Sequence, residues 1–210
     1  MPALVLYDNP ASSNAQKVRF LLAELGTPYT RREVPFSRPR PDWYLAVNRR
    51  GLIPALEDGD LELSESHAIL RYLAARAGRD DLYPMDDAGG RARIEEFLDR
   101  FATGLRGALM RHEIPALGFV RGVGWGATAP DPEEARRVEA TIRDDLAFLD
   151  SALGDRFAVL DRFTIADCAV TPALARTLRS GLDLDPFPRI RAVRDANVAR
   201  PAWVEVGATA

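Results

Sequence analysis

One cysteine, two histidines and no long apolar run set the first limits on this chain of 210 residues. A single thiol, Cys168, excludes an internal disulfide framework and a cysteine-rich metal site. His67 and His112 stand apart, without the spacing of metal ligands, so no metal is expected. No stretch approaches the roughly 20 apolar residues that cross a bilayer. A basic n-region is missing ahead of Leu4-Val5-Leu6-Tyr7, so no signal peptide is expected and the reading is a cytoplasmic protein. A surplus of positive charge is also missing. The net charge is −3, which gives no electrostatic reason to expect nucleic acid or an anionic membrane as partner. Internal repeats and low-complexity tracts are absent.

What is present is an ordinary globular mix, 47% hydrophobic and 28% charged, in a length that suits one large domain or two small ones. The first part alternates strand and helix signals. Ala3–Tyr7 reads as a buried strand, and Asp8–Ser13 as a turn. Asn14–Leu25 places Val18, Leu21, Leu22 and Leu25 at helical spacing, and Gly26 stops that helix. Tyr29–Val34 is a second strand, followed by a loop with Pro35, Pro39 and Pro41 and a short helical piece around Trp43–Val47. Two strands around the turn Asp58-Gly59-Asp60 lead into an amphipathic helix, Glu65–Ala77, which Gly78 ends. This order predicts a thioredoxin-like α/β unit over residues 1–78. A polar linker spans 79–89. From 90 to 210 period-2 alternation is almost lost, and an all-α bundle is expected. Its helices are read at Arg91–His112, Glu133–Leu153, Ile165–Ser180 and Phe187–Ala199.

Between helices, Ile114–Pro130 holds Gly118, Gly122, Gly124 and Gly126 among Phe119, Val120, Val123 and Trp125. It is long for a structureless connection. Two readings stand side by side: a partly helical excursion with glycines at its bends, or a mobile wall over an apolar pocket.

Two segments carry the chemistry. The run Leu52-Ile53-Pro54-Ala55-Leu56 and the helix start at Glu65-Ser66 form a cradle for a peptide and a carboxylate: backbone groups beside Pro54, N–H groups and hydroxyls at the helix start. Earlier, Ser12-Ser13-Asn14 stands where a strand meets a helix N-terminus. These residues serve either to cap the helix or to offer a hydroxyl, near the positive end of its dipole, to a bound thiolate.

Over essentially its whole length the chain resembles the cytosolic glutathione transferases, in particular the serine-type classes (theta, delta, phi, zeta). The resemblance is carried by Leu6-Tyr7-Asp8-Asn9-Pro10-Ala11-Ser12-Ser13 and by Asn48-Arg49-Arg50-Gly51-Leu52-Ile53-Pro54. It implies the glutathione transferase fold and glutathione as co-substrate. The active serine of those classes lies fourteen residues before the glycine that ends the first helix, which here is Ser12. Ser13 is the second candidate and Tyr7 the third. A hydrogen bond to a charged group is worth roughly 1.5–3 kcal/mol, or about one to two pK units on a thiol.

The family's proline at Pro54 is cis, which would present the Ile53 backbone to the cysteinyl unit. Ser66 would take the γ-glutamyl carboxylate and Glu65 its ammonium. Lysine or glutamine is common in the family at the position of Leu52, where it reaches the glycyl carboxylate. Leu52 offers only its backbone, so Arg38 or Arg40 is expected to supply the charge. An Asp that reaches the partner subunit's glutathione in theta-like members is Thr103 here, three residues before Arg106.

Phe163-Thr164-Ile165-Ala166-Asp167-Cys168 resembles the family's capping box and gives Cys168 a structural role. The resemblance implies a homodimeric detoxifying transferase joining the thiolate to a hydrophobic electrophile. That electrophile is expected against Ala11, Leu105, Arg106, Leu109, Arg111, Phe119 and Trp125. Isomerisation, dehalogenation or peroxide reduction on the same fold, or a non-catalytic binding role, are the alternatives.

Overall fold

The computed structural model describes residues 4–120 and 123–207. Ala3 of the expected first strand and Gly122 of the glycine-rich segment lie outside them. Strand β1 (Val5–Asp8) obeys the two-residue alternation of a buried strand. Leu6 faces the main core with Leu4 and Leu56, while Tyr7 joins Ala15, Val34, Tyr44, Ile53 and Ala55 on the opposite face. β2 (Thr30–Glu33) runs parallel to β1, and β3 (Ala55–Asp58) and β4 (Leu61–Ser64) complete a mixed sheet in the order β2-β1-β3-β4. Both edges are short, and they carry Arg31, Arg32, Glu33 and Glu62, which discourages further strand pairing.

The parallel β1–β2 pair requires a crossover, supplied by α1 (Ser13–Leu25). Gly26 ends α1 at φ 58°, where a Cβ would be strained. A short α2 (Asp42–Val47) covers the Tyr7 face, and α3 (Ser66–Arg76) packs beside α1.

The helical part begins with α4 (Ala88–Arg100), capped by the Asp87 carboxylate on the Gly90 N–H at 2.9 Å, two residues inside the span expected to be linker. It passes through a π-helical stretch, Phe101–Leu105, into α5 (Arg106–Ala116). Such a stretch inserts an extra residue and rotates all that follows by about 100°. At its end and beyond, Leu105, Leu109 and His112 are buried, while Arg106 and Met110 face a cavity.

The helix expected over Glu133–Leu153 is two helices, α6 (Pro132–Thr141) and α7 (Arg143–Ala152), bent at the fully buried Ile142. The bend lets α6 pack on α5 and α7 on α9 (Pro188–Val198), which one straight helix could not do.

α8 (Ile165–Ser180) is the central helix, packed against α1, α3, α4, α5 and α9. Its capping box is present: the Asp167 carboxylate accepts the Thr164 N–H at 2.9 Å, and the Thr164 hydroxyl accepts the Ala166 N–H at 3.2 Å. Asp167 also accepts from the Ala158 N–H at 2.8 Å and Asn197 at 3.1 Å. Burial pushes its pKa up to about 6, opposed by these donors. Cys168 is fully buried and burial raises its thiol well above the ordinary range, so it is a core residue. α10 (Pro201–Gly207) closes the chain onto α1 through Trp203, edge-on to Phe20.

The described residues of the glycine-rich segment after α5 form a hydrogen-bonded loop. The Gly126 N–H donates to the Leu117 carbonyl at 3.0 Å, Ala127 to Gly118 at 2.9 Å and Asp131 to Pro115 at 2.9 Å. Gly118 has φ 61°, and a Cβ there would lie 2.0 Å from the Thr128 carbonyl oxygen. Only glycine permits that approach.

Candidate functional site

Ser12 is the N-cap of α1, in extended backbone at φ −84° and ψ 109°. Its Oγ accepts the Ala15 N–H at 3.3 Å, as capping requires. The same hydroxyl donates to the Ile53 carbonyl at 3.4 Å, across 41 residues of sequence. Capping and reach toward the second segment are therefore not alternatives: one oxygen does both. The Ile53–Pro54 bond is cis, as the resemblance implied.

The loop before Pro54 is held by side chains on backbone carbonyls. Tyr44 donates its hydroxyl to Leu52, Asn48 donates to the same oxygen at 2.8 Å, and Arg40 Nε donates to Gly51 at 2.9 Å. Arg40 also donates to the carbonyls of Pro35 and Ser37. Arg40 is thus built into the loop. Arg38 stands beside it with no ion pair among the described residues, so of the two arginines it is the one whose charge is uncommitted.

These segments open on a cavity of about 270 Å³. Ala11, Ser12, Ser13, Arg38, Leu52, Ile53, Arg106, Phe119 and Trp125 all line it, and Phe36, Arg40, Met110 and Arg176 add to its wall. Three expected pocket residues are not there. Leu105 and Leu109 are buried in the core, and Arg111 points to α7, pairing with Asp145 at 2.8 Å. The reason is the helical register. One face of α5 carries Arg106, Met110 and Glu113 inward to the site, and Met110 takes the place expected of Leu109.

Behind the cavity lies a network whose centre, Glu113 with Arg176, sequence reading missed. Arg106 donates to Ser13 Oγ at 3.0 Å and to both Glu113 oxygens at 3.3 Å. Arg176, on α8, reaches Glu113 at 3.4 Å and donates to the Ala11 carbonyl at 2.7 Å. Trp125 Nε1 donates to that same carbonyl at 3.0 Å, with the Arg176 guanidinium 4.6 Å from its ring. The Glu113 side chain is only 2% exposed and lies between two cations. Burial draws the Arg176 pKa down to about 10, with Glu113 holding it up, so it stays charged at neutral pH. The spacing 106, 110, 113 was the available signal for Glu113. For Arg176, 63 residues further on, the sequence carried none.

At the α3 start, Glu65 has φ 79° and makes no side-chain cap; its carboxylate pairs with Arg50 at 2.8 Å. Ser66 is buried in the first turn. The first N–H groups of α3 are therefore uncapped, the arrangement that suits an anion. Neither Glu65 nor Ser66 lines the cavity itself. Below them, Lys17 and His67 join α1 to α3, Nζ to Nε2 at 3.0 Å, with the Phe101 ring 5.4 Å from the ammonium. Burial draws Lys17 down to about 7, helped by Arg106, and draws His67 down to about 3, helped by Lys17.

Tyr7 packs with Ala15 and Ile53 on the sheet face opposite the main core and does not line the cavity. Its hydroxyl faces Arg32 at 3.5 Å, and burial followed by Glu57 raises its pKa. Thr103 is exposed and donates back to the Asp99 carbonyl at 2.9 Å.

The family model described as the glutathione S-transferase N-terminal domain matches residues 6–81, and that of the C-terminal domain matches residues 132–196. Glutathione S-transferase GstB of Escherichia coli (strain K12) is 31% identical over 209 residues, covering 95% of each chain. The maleylacetoacetate isomerase of Pseudomonas aeruginosa is 33% identical over 208 residues, covering 94% of this chain and 92% of that one. A solved structure of glutathione S-transferase III in apo form superposes with a TM-score of 0.77 at 28% identity, over 98% of this chain and 96% of the other.

Proposed function

The chain belongs to the glutathione S-transferase family, and on that premise we propose that it binds glutathione in the cavity beside Ser12 and joins its sulfur to an electrophilic small molecule. The observation that carries this reading is the Ser12 Oγ bond to the Ile53 carbonyl. It brings the candidate activating hydroxyl and the candidate peptide-binding backbone within 3.4 Å of each other.

The geometry supports the following roles. Ile53 pairs its backbone with the cysteinyl unit as an added strand would. The sulfur then lies by Ser12, whose hydroxyl turns from Ile53 to donate to it. The Ala15 N–H, donating to the same oxygen, polarises that hydroxyl. A charge-assisted bond of this kind lowers the thiol by about one to two pK units. The uncapped α3 start receives the γ-glutamyl carboxylate at Ser66, and Glu65 exchanges Arg50 for the ammonium. Arg38 takes the glycyl carboxylate in place of the missing side chain at Leu52. Residues 1–78 thus supply the glutathione side, 79–89 the link, and 90–210 the wall for the second substrate. The assembly is a homodimer in the cytoplasm.

Ser12→Ala tests the assignment. The expected result is a fall in kcat of about 10–100-fold with 1-chloro-2,4-dinitrobenzene, at nearly unchanged glutathione affinity by calorimetry. Unchanged kcat would transfer the role to Ser13.

A second reading, glutathione-dependent isomerisation, is favoured by the similarity to the Pseudomonas isomerase. It predicts turnover of a cis-enone without net consumption of glutathione, which thiol titration distinguishes from conjugation.

A further inference from the structure

Among the described residues that line the cavity, every charged side chain is an arginine: Arg38, Arg40, Arg106 and Arg176. Arg40 is bonded to carbonyl oxygens, which carry no charge. Arg106 and Arg176 share the one carboxylate of Glu113. Four positive charges therefore face one negative charge, an excess of three. Glutathione with its thiol ionised brings two carboxylates, one ammonium and one thiolate, a net of two negative charges. One positive charge is left over when a neutral second substrate closes the site, and a desolvated cation without a partner is costly.

We propose that the second substrate carries an oxyanion, a carboxylate near its electrophilic carbon, and that Arg106 receives it. The proposal rests on the transferase reading above. Arg106 is the right cation for three reasons. It touches Ser13 at 3.0 Å, next to the hydroxyl assigned to the sulfur. Its contacts to Glu113, both at 3.3 Å, are long for charge-assisted bonds, and that carboxylate is shared with Arg176, so Arg106 is not fully neutralised. Its planar fork also has N–H groups beyond those used by Ser13 and Glu113. Arg176, by contrast, is fixed by the Ala11 carbonyl at 2.7 Å and the face of Trp125. Met110, Phe119 and Trp125 supply an apolar wall for the rest of the molecule. The substrate class is thus a small aromatic or unsaturated acid.

The test compares 4-chloro-3-nitrobenzoate with 4-chloro-3-nitrobenzamide. With either probe the thiolate sulfur forms a bond to the ring carbon bearing chlorine, chloride departs with the bonding pair, and the thiol proton has gone to solvent. Each kcat/KM is divided by the uncatalysed rate constant with glutathione at the same pH, which removes the difference in intrinsic reactivity. The expected result is a preference of about 10–100-fold for the acid in the wild-type enzyme. That preference falls to near unity in Arg106→Gln and is partly restored in Arg106→Lys. An amide used as well as the acid by the wild-type protein overturns the proposal and leaves the transferase reading standing, with no need for a folded variant. A preference that survives in Arg106→Gln overturns the assignment to Arg106. Neither probe exceeding its uncatalysed rate overturns the transferase reading, and this proposal with it.

Discussion

On the sheet side of the cavity, Arg40, Tyr44 and Asn48 direct their donors to backbone carbonyls between Pro35 and Leu52. On the helical side, Arg106 and Arg176 converge on a single buried carboxylate. The first arrangement sets the shape of a loop with neutral acceptors and leaves its charges unbalanced. The second sets the position of two cations by charge. The difference teaches which side tolerates change: a loop tied by many neutral bonds survives the loss of one, whereas an ion network centred on one residue does not.

The largest expected effect breaks the helical side. Glu113→Gln leaves two largely buried guanidinium groups without a counter-charge, and should cost about 3 kcal/mol of stability, read from urea unfolding. Arg38→Ala then sharpens the contrast on the sheet side. Because Arg38 is uncommitted, stability should hold within about 0.5 kcal/mol. The KM for glutathione should rise about 10-fold with kcat little changed. A loss of kcat equal to that of Ser12→Ala would instead place Arg38 at the reacting sulfur.

A separate effect, read in the pH dependence of stability, concerns Lys17, which bridges α1 and the start of α3. Its pKa falls from 10.5 to about 7 on folding, so the unfolded chain holds the proton more tightly. The group's contribution to stability is therefore complete above about pH 10.5 and is lost as pH falls toward 7. Lys17→Met should remove that slope, so the wild-type-minus-variant difference in stability should rise between about pH 7 and 10.5 and be flat outside that window. His67, drawn down to about 3, acts in its own window: its contribution is present above 6.5 and lost as pH falls toward 3.

How much of this was legible follows the same division. The order of strands and helices up to Gly78 is written in local patterns: Leu6 against Tyr7 across β1, Gly26 after α1, the turn at Asp58-Gly59-Asp60 before β4. Ser12 and Ile53 were each visible as the end of a short motif. The helical side was less so. Periodicity over Arg91–His112 is blind to the π-helical stretch at Phe101–Leu105, yet it grouped Leu105 and Leu109 with the core face; it was the resemblance that placed them in the pocket. The continuous pattern over Glu133–Leu153 hid the bend at Ile142, which tertiary packing imposes. Arg176 meets Ala11 across 165 residues and Glu113 across 63, distances at which no local rule operates. Arg38 and Arg40 look alike in sequence, and only the carbonyl partners of Arg40 separate them.

The Ala11 carbonyl, bound at once by Trp125 and Arg176, lies next to Ser12 in the chain. Divergence in the helical half is therefore transmitted to the backbone beside Ser12, the proposed activating residue. A lineage that altered position 125 or 176 to admit a new substrate would, in the same step, retune the thiol's reactivity. Grafting the helical half of one relative onto the sheet of another would mismatch the two. In such a protein, selectivity and rate evolve as one trait.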